Sequence, residues 1–212
     1  MCSRYFVMGE EDAYELREII DEVNRRYPGA PEAKAMATGE VFPTNIAPVI
    51  LADGPRPIKW GFPPVHGNSR PVVNARQETA AISPYFKKAL MANRIAIPTS
   101  GFVEWSHDAA TKKALDKYRF TLPGESVLYL AGICESFTLP DGKKEDRFAI
   151  LTTEANDMMR GYHDRMPVYL KKEELADWFT DRTCIEDILH RTQPPLAALL
   201  AQPPKPVQMS LF

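Results

Sequence analysis

The sequence predicts an α+β fold, mostly antiparallel strands with helices at the periphery, and three observations carry that prediction. From Lys117 onward the chain is strand-rich, with KYRFTL, VLYLAGICESFTL and RFAILTTEA in succession. LPDGKK, between the last two, carries the Asp-Gly signature of a tight hairpin turn. Helical spacing appears in EDAYELREIIDEVNRRY, where Leu16, Ile19, Ile20 and Val23 share one face and charges occupy the other, and again in KKEELADWFT and CIEDILHRT.

The elements follow in order. MCSRYF opens the chain as a strand, and the first helix comes after it. GEVFPTNIAPVILADG is broken by prolines and reads as a loop with a short strand around Pro48–Ala52. PIKWGFPP is a short strand entering a turn, and PVVNARQET is a strand breaking into a loop. In ISPYFKKALMANR, Ser83 is placed to cap a short helix with Pro84 as its first residue. RIAIPTSGFVEWS reads as strand, turn, strand, and NDMMRGYHDRMP begins with an Asn able to cap a short helix. A domain over residues 1–192 and a proline-rich segment over 193–212, which wraps the domain or projects from it, are expected.

Composition narrows the class. The 212 residues suit one large domain with a tail, and 44% hydrophobic with 25% charged residues is ordinary for a globular core. No apolar run is long enough for a membrane span and no secretory signal is visible, so a cytoplasmic monomer without membrane contact, associated with the nucleoid during repair, is expected. Cys2, Cys134 and Cys184 are few and far apart, which argues for a reducing compartment and against a disulfide framework. Cys134 in LAGICES reads as core, and Cys184 as an inert residue near a helix start. No ligand spacing points to zinc, so no metal and no cofactor are expected. A net charge of -2 disfavours coating of duplex DNA by bulk charge, but leaves room for a local basic groove.

Four positions put reactive or polar side chains where a strand gives out: Cys2, Asn74 in VVNARQET, Glu104 in GFVEW and His163 in GYHDRMP. Each alone has an ordinary structural reading. Together, MCSRY, KWGF, VVNARQET, IPTSGFVEW and GYHDRMPV, in this order, resemble the successive motifs of the SOS response-associated peptidase (SRAP) family, over roughly Cys2 to Leu170. The resemblance implies a mixed fold around a β-barrel-like core, binding of single-stranded DNA, and covalent attachment of an N-terminal cysteine to an abasic site in the DNA damage response. It implies Cys2 as nucleophile, with Asn74, Glu104 and His163 completing the site. Ser3 stands where the family usually has Gly, and the family's Val-Asn motif near the C-terminus is not evident.

The chemistry suits those residues. An aminopeptidase usually removes Met1 before a small residue, and the freed chain then begins with a cysteine carrying both an amine and a thiol. The amine forms a Schiff base with the ring-opened aldehyde of an abasic sugar, and the thiol closes on the same carbon to give a thiazolidine. An α-amino group titrating near about 7.7–8.0 and a thiol near about 8.5 are both accessible at neutral pH. By resemblance, Glu104 holds the α-ammonium and accepts protons, His163 shuttles a proton to the sugar oxygen, and Asn74 orients the amine or the sugar. The same apparatus allows a cysteine peptidase with an N-terminal nucleophile, including one that removes its own Met1. A non-catalytic module that binds single-stranded DNA is the third reading.

Arg4, Arg76 and Arg165 lie within two residues of Cys2, Asn74 and His163, which suits phosphate contacts. Trp60 in KWGF is placed to stack on a base or to fill the core, and Trp105 reads as core. His66, His107 and His190 lack supporting partners in sequence. The terminal QMSLF resembles the peptide by which bacterial repair proteins dock on the replication sliding clamp, with Gln208, Leu211 and Phe212 as its anchors. A last strand packed on the core is the equal alternative.

Overall fold

The N-terminal strand β1 (Tyr5–Phe6) leads into helix α1 (Tyr14–Arg26), whose Leu16, Ile20 and Val23 are buried as the periodicity requires. The computed structural model describes residues 2–7, 14–65, 70–108, 110–111 and 113–201; Gln208, Leu211, Phe212 and His66 lie outside them. The short helix α2 (Pro31–Lys34) and strand β2 (Glu40–Val41) precede the hairpin β3 (Ile46–Leu51) and β4 (Gly54–Trp60). Strand β5 (Asn74–Arg76) breaks at once into helix α3 (Gln77–Ala80). Helix α4 (Lys87–Ala92) starts later than Ser83 and Pro84 predict: Ser83 Oγ accepts from the Tyr85 N–H at 3.3 Å, within a turn that precedes the helix. Strands β6 (Arg94–Thr99) and β7 (Gly101–His107) follow, then β8 (Ala114–Thr121), β9 (Leu128–Thr138) and β10 (Lys144–Glu154).

The LPDGKK turn joins β9 to β10 as expected. Gly142 takes a φ of 82°, a conformation that suits glycine, and its N–H donates to Leu139 O at 2.9 Å. Asn156 does cap the next turn, accepting from the Met159 N–H at 3.0 Å. Strands β11 (Arg165–Pro167) and β12 (Tyr169–Leu170), helices α5 (Leu175–Thr180) and α6 (Cys184–His190), and strand β13 (Ala197–Leu200) complete the order.

The strands form two sheets. One runs β13-β8-β7-β1-β2. In the other, β10-β4-β3-β6-β9 closes on itself because β9 also pairs with β10, giving a five-stranded barrel to which β5, β11 and β12 are added. Most pairings are antiparallel, but β4 and β5 both run parallel to β10, which strand pattern alone did not indicate. One apolar core, with Tyr5, Trp60, Phe102, Phe120 and Phe148, lies between the first sheet and the barrel. A second, with Phe62, Leu90 and Trp178, lies under the helices. Among the described residues no helix is long and apolar enough to cross a membrane.

Two expectations are corrected by this packing. Trp60 has no exposed surface; its Nε1 donates to Val73 O at 2.9 Å and its ring stacks on Phe148, so it is a core tryptophan and presents no face to a base. The domain also does not end at residue 192. Tyr169 N–H donates to Gln193 Oε1 at 3.2 Å, Leu196 is buried, and β13 pairs with β8. The proline-rich stretch therefore begins inside the fold, because the open edge of β8 needs a partner for its backbone groups.

Candidate active site

Strand β10 builds the site by changing partners half-way. Its first half pairs with β9 and β4. From Ile150 its second half is flanked by β5, with Ile150 opposite Asn74 and Thr152 opposite Arg76, and by β11, with Glu154 opposite Arg165. Segments far apart in sequence thus reach one place through backbone hydrogen bonding, not through side-chain attraction. Arg165 fastens the arrangement: its guanidinium donates to both Glu78 oxygens, at 2.7 and 2.8 Å, and to Thr152 O at 2.7 Å. Burial raises the Glu78 pKa, but the Arg165 hydrogen bonds outweigh it and hold the carboxyl below its ordinary value. Arg165 is only 9% exposed, so it acts as a clamp here and leaves the set of arginines open to phosphate.

Cys2 enters from the other sheet. It has no exposed surface, its Sγ–H faces Arg4 O at 3.6 Å, and Asn74 Nδ2 donates to Cys2 O at 2.8 Å. That last bond ties the chain start to the barrel. Asn74 Oδ1 is buried and has no hydrogen-bond partner among the described residues, leaving an acceptor ready for an amine or hydroxyl. Burial, then the nearby Glu104 carboxylate, pushes the Cys2 thiol well above its ordinary value. Glu104, 4% exposed on β7, has its own pKa raised by burial, while the positive charge of the chain's amino terminus works against that rise. Ser3 takes no positive φ, so its Cβ sits where glycine is common without backbone strain.

Near this buried group, with His107 and Asp164 close enough to act on the Glu104 charge, lies an open cleft of about 750 Å³, whose walls include Arg76, His107, Arg160, Tyr162 and His163. His163 Nδ1 accepts the Arg165 N–H at 2.9 Å and lies 2.6 Å from Asp164 Oδ1. The neutral ring satisfies the first contact and the protonated ring the second. Burial, followed by the positive amino terminus, lowers the His163 pKa, which favours the neutral form, with Asp164 opposing.

The four expected site residues are therefore in one region, in two layers: Cys2 and Glu104 buried, with Asn74 at their edge, and His163 on the cleft wall. Sequence reasoning missed His107. A register shift in the β7–β8 pairing between Trp105 and His107 separates its pattern from that of Glu104, and its Nδ1 contacts Tyr162 O at 3.2 Å. Arg160 was missed as well. Trp105 is partly exposed, not core, with the Arg4 guanidinium 4.9 Å from its ring centroid.

Residues 1–205 match the model of the SOS response associated peptidase (SRAP) family. The chain belongs to that family. Among its relatives, the abasic site processing protein YoqW of Bacillus subtilis is 30% identical over 207 residues, covering 93% of this chain and 88% of YoqW. The abasic site processing protein YedK of Escherichia coli is 27% identical, covering 84% and 79% respectively. A solved structure from Bacteroides thetaiotaomicron shares the fold with a TM-score of 0.73 at 21% identity, covering 95% of this chain and 92% of that one. Another, from Bordetella bronchiseptica, has a TM-score of 0.70 at 24% identity, covering 95% and 100%. Within this SRAP chain the described residues of the five ordered sequence motifs lie at strands: Cys2–Tyr5 leads into β1, KWGF ends β4, VVNARQET contains β5, IPTSGFVEW runs from β6 into β7 and GYHDRMPV leads into β11.

Proposed function

We propose that this protein processes abasic sites in single-stranded DNA by forming a covalent adduct through Cys2 once Met1 has been removed. The observation that carries the reading is the hydrogen bond from Asn74 to the Cys2 carbonyl beside the buried Glu104, behind a cleft that bears His163 and Arg76. The bond fixes the Cys2 backbone beside the carboxylate that would serve its freed amine.

The sequence of steps balances without a cofactor. The Cys2 amine adds to the sugar aldehyde and water leaves, giving an imine. The Cys2 sulfur then bonds to the imine carbon while its proton passes to the nitrogen, closing the thiazolidine. Glu104, with its raised pKa, relays protons between ammonium, carbinolamine and water at neutral pH. Neutral His163 exchanges a proton with the ring oxygen as the sugar opens. Asn74 Oδ1 receives the amine or a sugar hydroxyl. While Met1 remains, the Cys2 nitrogen is an amide and cannot form an imine, so the reaction requires that residue's removal.

Incubation with single-stranded DNA holding one abasic site, followed by denaturing electrophoresis and intact-mass measurement, tests the reading. A denaturation-resistant adduct on a chain lacking Met1 supports it; no adduct, or an equal yield from Cys2→Ala, overturns it. A peptidase would cleave peptides and form no adduct, and a binding module would shift DNA only under native conditions. Docking of Gln208, Leu211 and Phe212 on the sliding clamp is tested separately, by clamp binding and thermal stability of a chain shortened by its last five residues.

A further inference from the structure

His107 and His163 share the wall of the cleft, and their backbone partners give the two rings opposite roles. His107 ends β7, just past the register shift in its pairing with β8. Its Nδ1 lies 3.2 Å from Tyr162 O. A carbonyl only accepts, so the hydrogen of that bond sits on Nδ1, and Nε2 is the bare, basic nitrogen of the neutral ring. His163 is the reverse case. Its Nδ1 accepts the Arg165 N–H at 2.9 Å, so its neutral ring carries the proton on Nε2. The cleft thus holds a nitrogen base on one ring and an N–H donor on the other.

The carbonyl that sets the His107 tautomer is itself fixed. Tyr162 N–H donates to Met159 O at 2.8 Å, and the Tyr162 ring meets those of Tyr118 and Phe120 edge-on, with centroids 4.9 and 5.0 Å away. His107 follows Glu104 on the same strand, and its charge is felt by both Glu104 and His163. It is therefore within electrostatic reach of both layers of the site.

An abasic sugar is mostly a closed hemiacetal, and only its open aldehyde can meet the Cys2 amine. Opening needs a base on the C1 hydroxyl and an acid on the ring oxygen. We propose that His107 is the catalytic base that opens the sugar in the cleft, an inference that rests on the proposed abasic-site function. Its Nε2 takes the proton of the C1 hydroxyl. The bond from C1 to the ring oxygen breaks, its electron pair leaves on that oxygen, and the oxygen is protonated through His163. The C1 oxygen becomes the aldehyde oxygen, and His107 passes its proton to water. No other reactant is consumed.

A structural role for His107, supplying a donor to the Tyr162 carbonyl, is separated by His107→Asn. The Asn amide N–H can meet that carbonyl, but no basic nitrogen remains, and the exposed position disturbs no core. Adduct formation is followed on two single-stranded oligonucleotides. One carries a natural abasic site, and the other an acyclic aldehyde with no hydroxyl placed to close a ring. His107→Asn should slow the adduct about 10²-fold on the natural site and form it at the wild-type rate on the acyclic aldehyde. A wild-type rate on the natural site overturns the proposal, because the hydrogen bond alone then suffices. Equal slowing on both probes overturns it too, because the residue then acts after ring opening. No adduct from the wild-type chain with either probe overturns the proposed function itself, and this inference with it.

Discussion

Cys2 and Glu104 sit where water does not reach, whereas Arg76, His107, Arg160 and His163 line an open cleft a layer away. The same physical cause, desolvation, acts on both layers in opposite senses. It raises the pKa of the thiol and the carboxyl and lowers that of the imidazole, so all three groups are pushed toward their neutral forms. Neutral groups near their working pH exchange protons readily, which a nucleophilic addition needs at each step. Permanent charge is kept to the open layer, where Arg76 is solvated, and to Arg165, whose guanidinium is held by Glu78. Under the proposed function, burial assigns the chemistry and exposure assigns the binding.

The sharpest way to break that division is Cys2→Ala, which should abolish the adduct while leaving DNA affinity within about twofold, measured by denaturing gel and by equilibrium titration. Glu104→Gln comes next, with adduct formation slowed about 10²-fold. Its stability should change with pH in a defined sense. Because the native pKa of Glu104 is raised above 4.5, the native state holds this proton more tightly than the unfolded chain does. That contribution is complete below pH 4.5 and is lost as pH rises through the native value. Glu104→Gln should therefore gain in stability relative to wild type on going from pH 4 to pH 7, read by thermal melts; a constant difference would show that the carboxyl is not desolvated.

Arg165→Ala should cost about 1–2 kcal/mol in urea unfolding, since Thr152 O loses its donor while the exposed Glu78 carboxylate is rehydrated. The two tryptophans sharpen the division further. Trp105→Ala should weaken single-strand binding about tenfold, the value of one stacked base. Trp60→Phe should leave affinity unchanged and lower the melting temperature. The smallest effect belongs to His163. Its native pKa lies below 6.5, so the unfolded chain takes up the proton first and wild type loses stability as pH falls through that value. His163→Gln should flatten this acid slope.

Much of the site was legible in the chain. Asn74 opens β5 and His163 stands just before β11, where the expectation put them, whereas Glu104 lies in the middle of β7 and not where that strand ends. Trp60 was not legible, because a tryptophan in a short strand carries no mark of which face it occupies; the ring of Phe148, its register partner on the neighbouring strand β10, stacks on it inside the core. Nor was His107, because an irregularity in pairing reverses a side chain's face without changing its neighbours in sequence. Arg165 looked like a phosphate contact until Glu78, 87 residues away, appeared on its guanidinium.

The chain alone determined the α+β class, the hairpin at Gly142, the first helix and the order of the site motifs, because these depend on periodicity and turn chemistry within a few residues. Tertiary structure decided which of those motif residues are buried. It closed the barrel through the second pairing of β9, ran β4 and β5 parallel to β10, and extended the domain through β13. Those choices rest on contacts between distant strands, and a single side chain's protonation and accessibility follow from the neighbours such contacts bring.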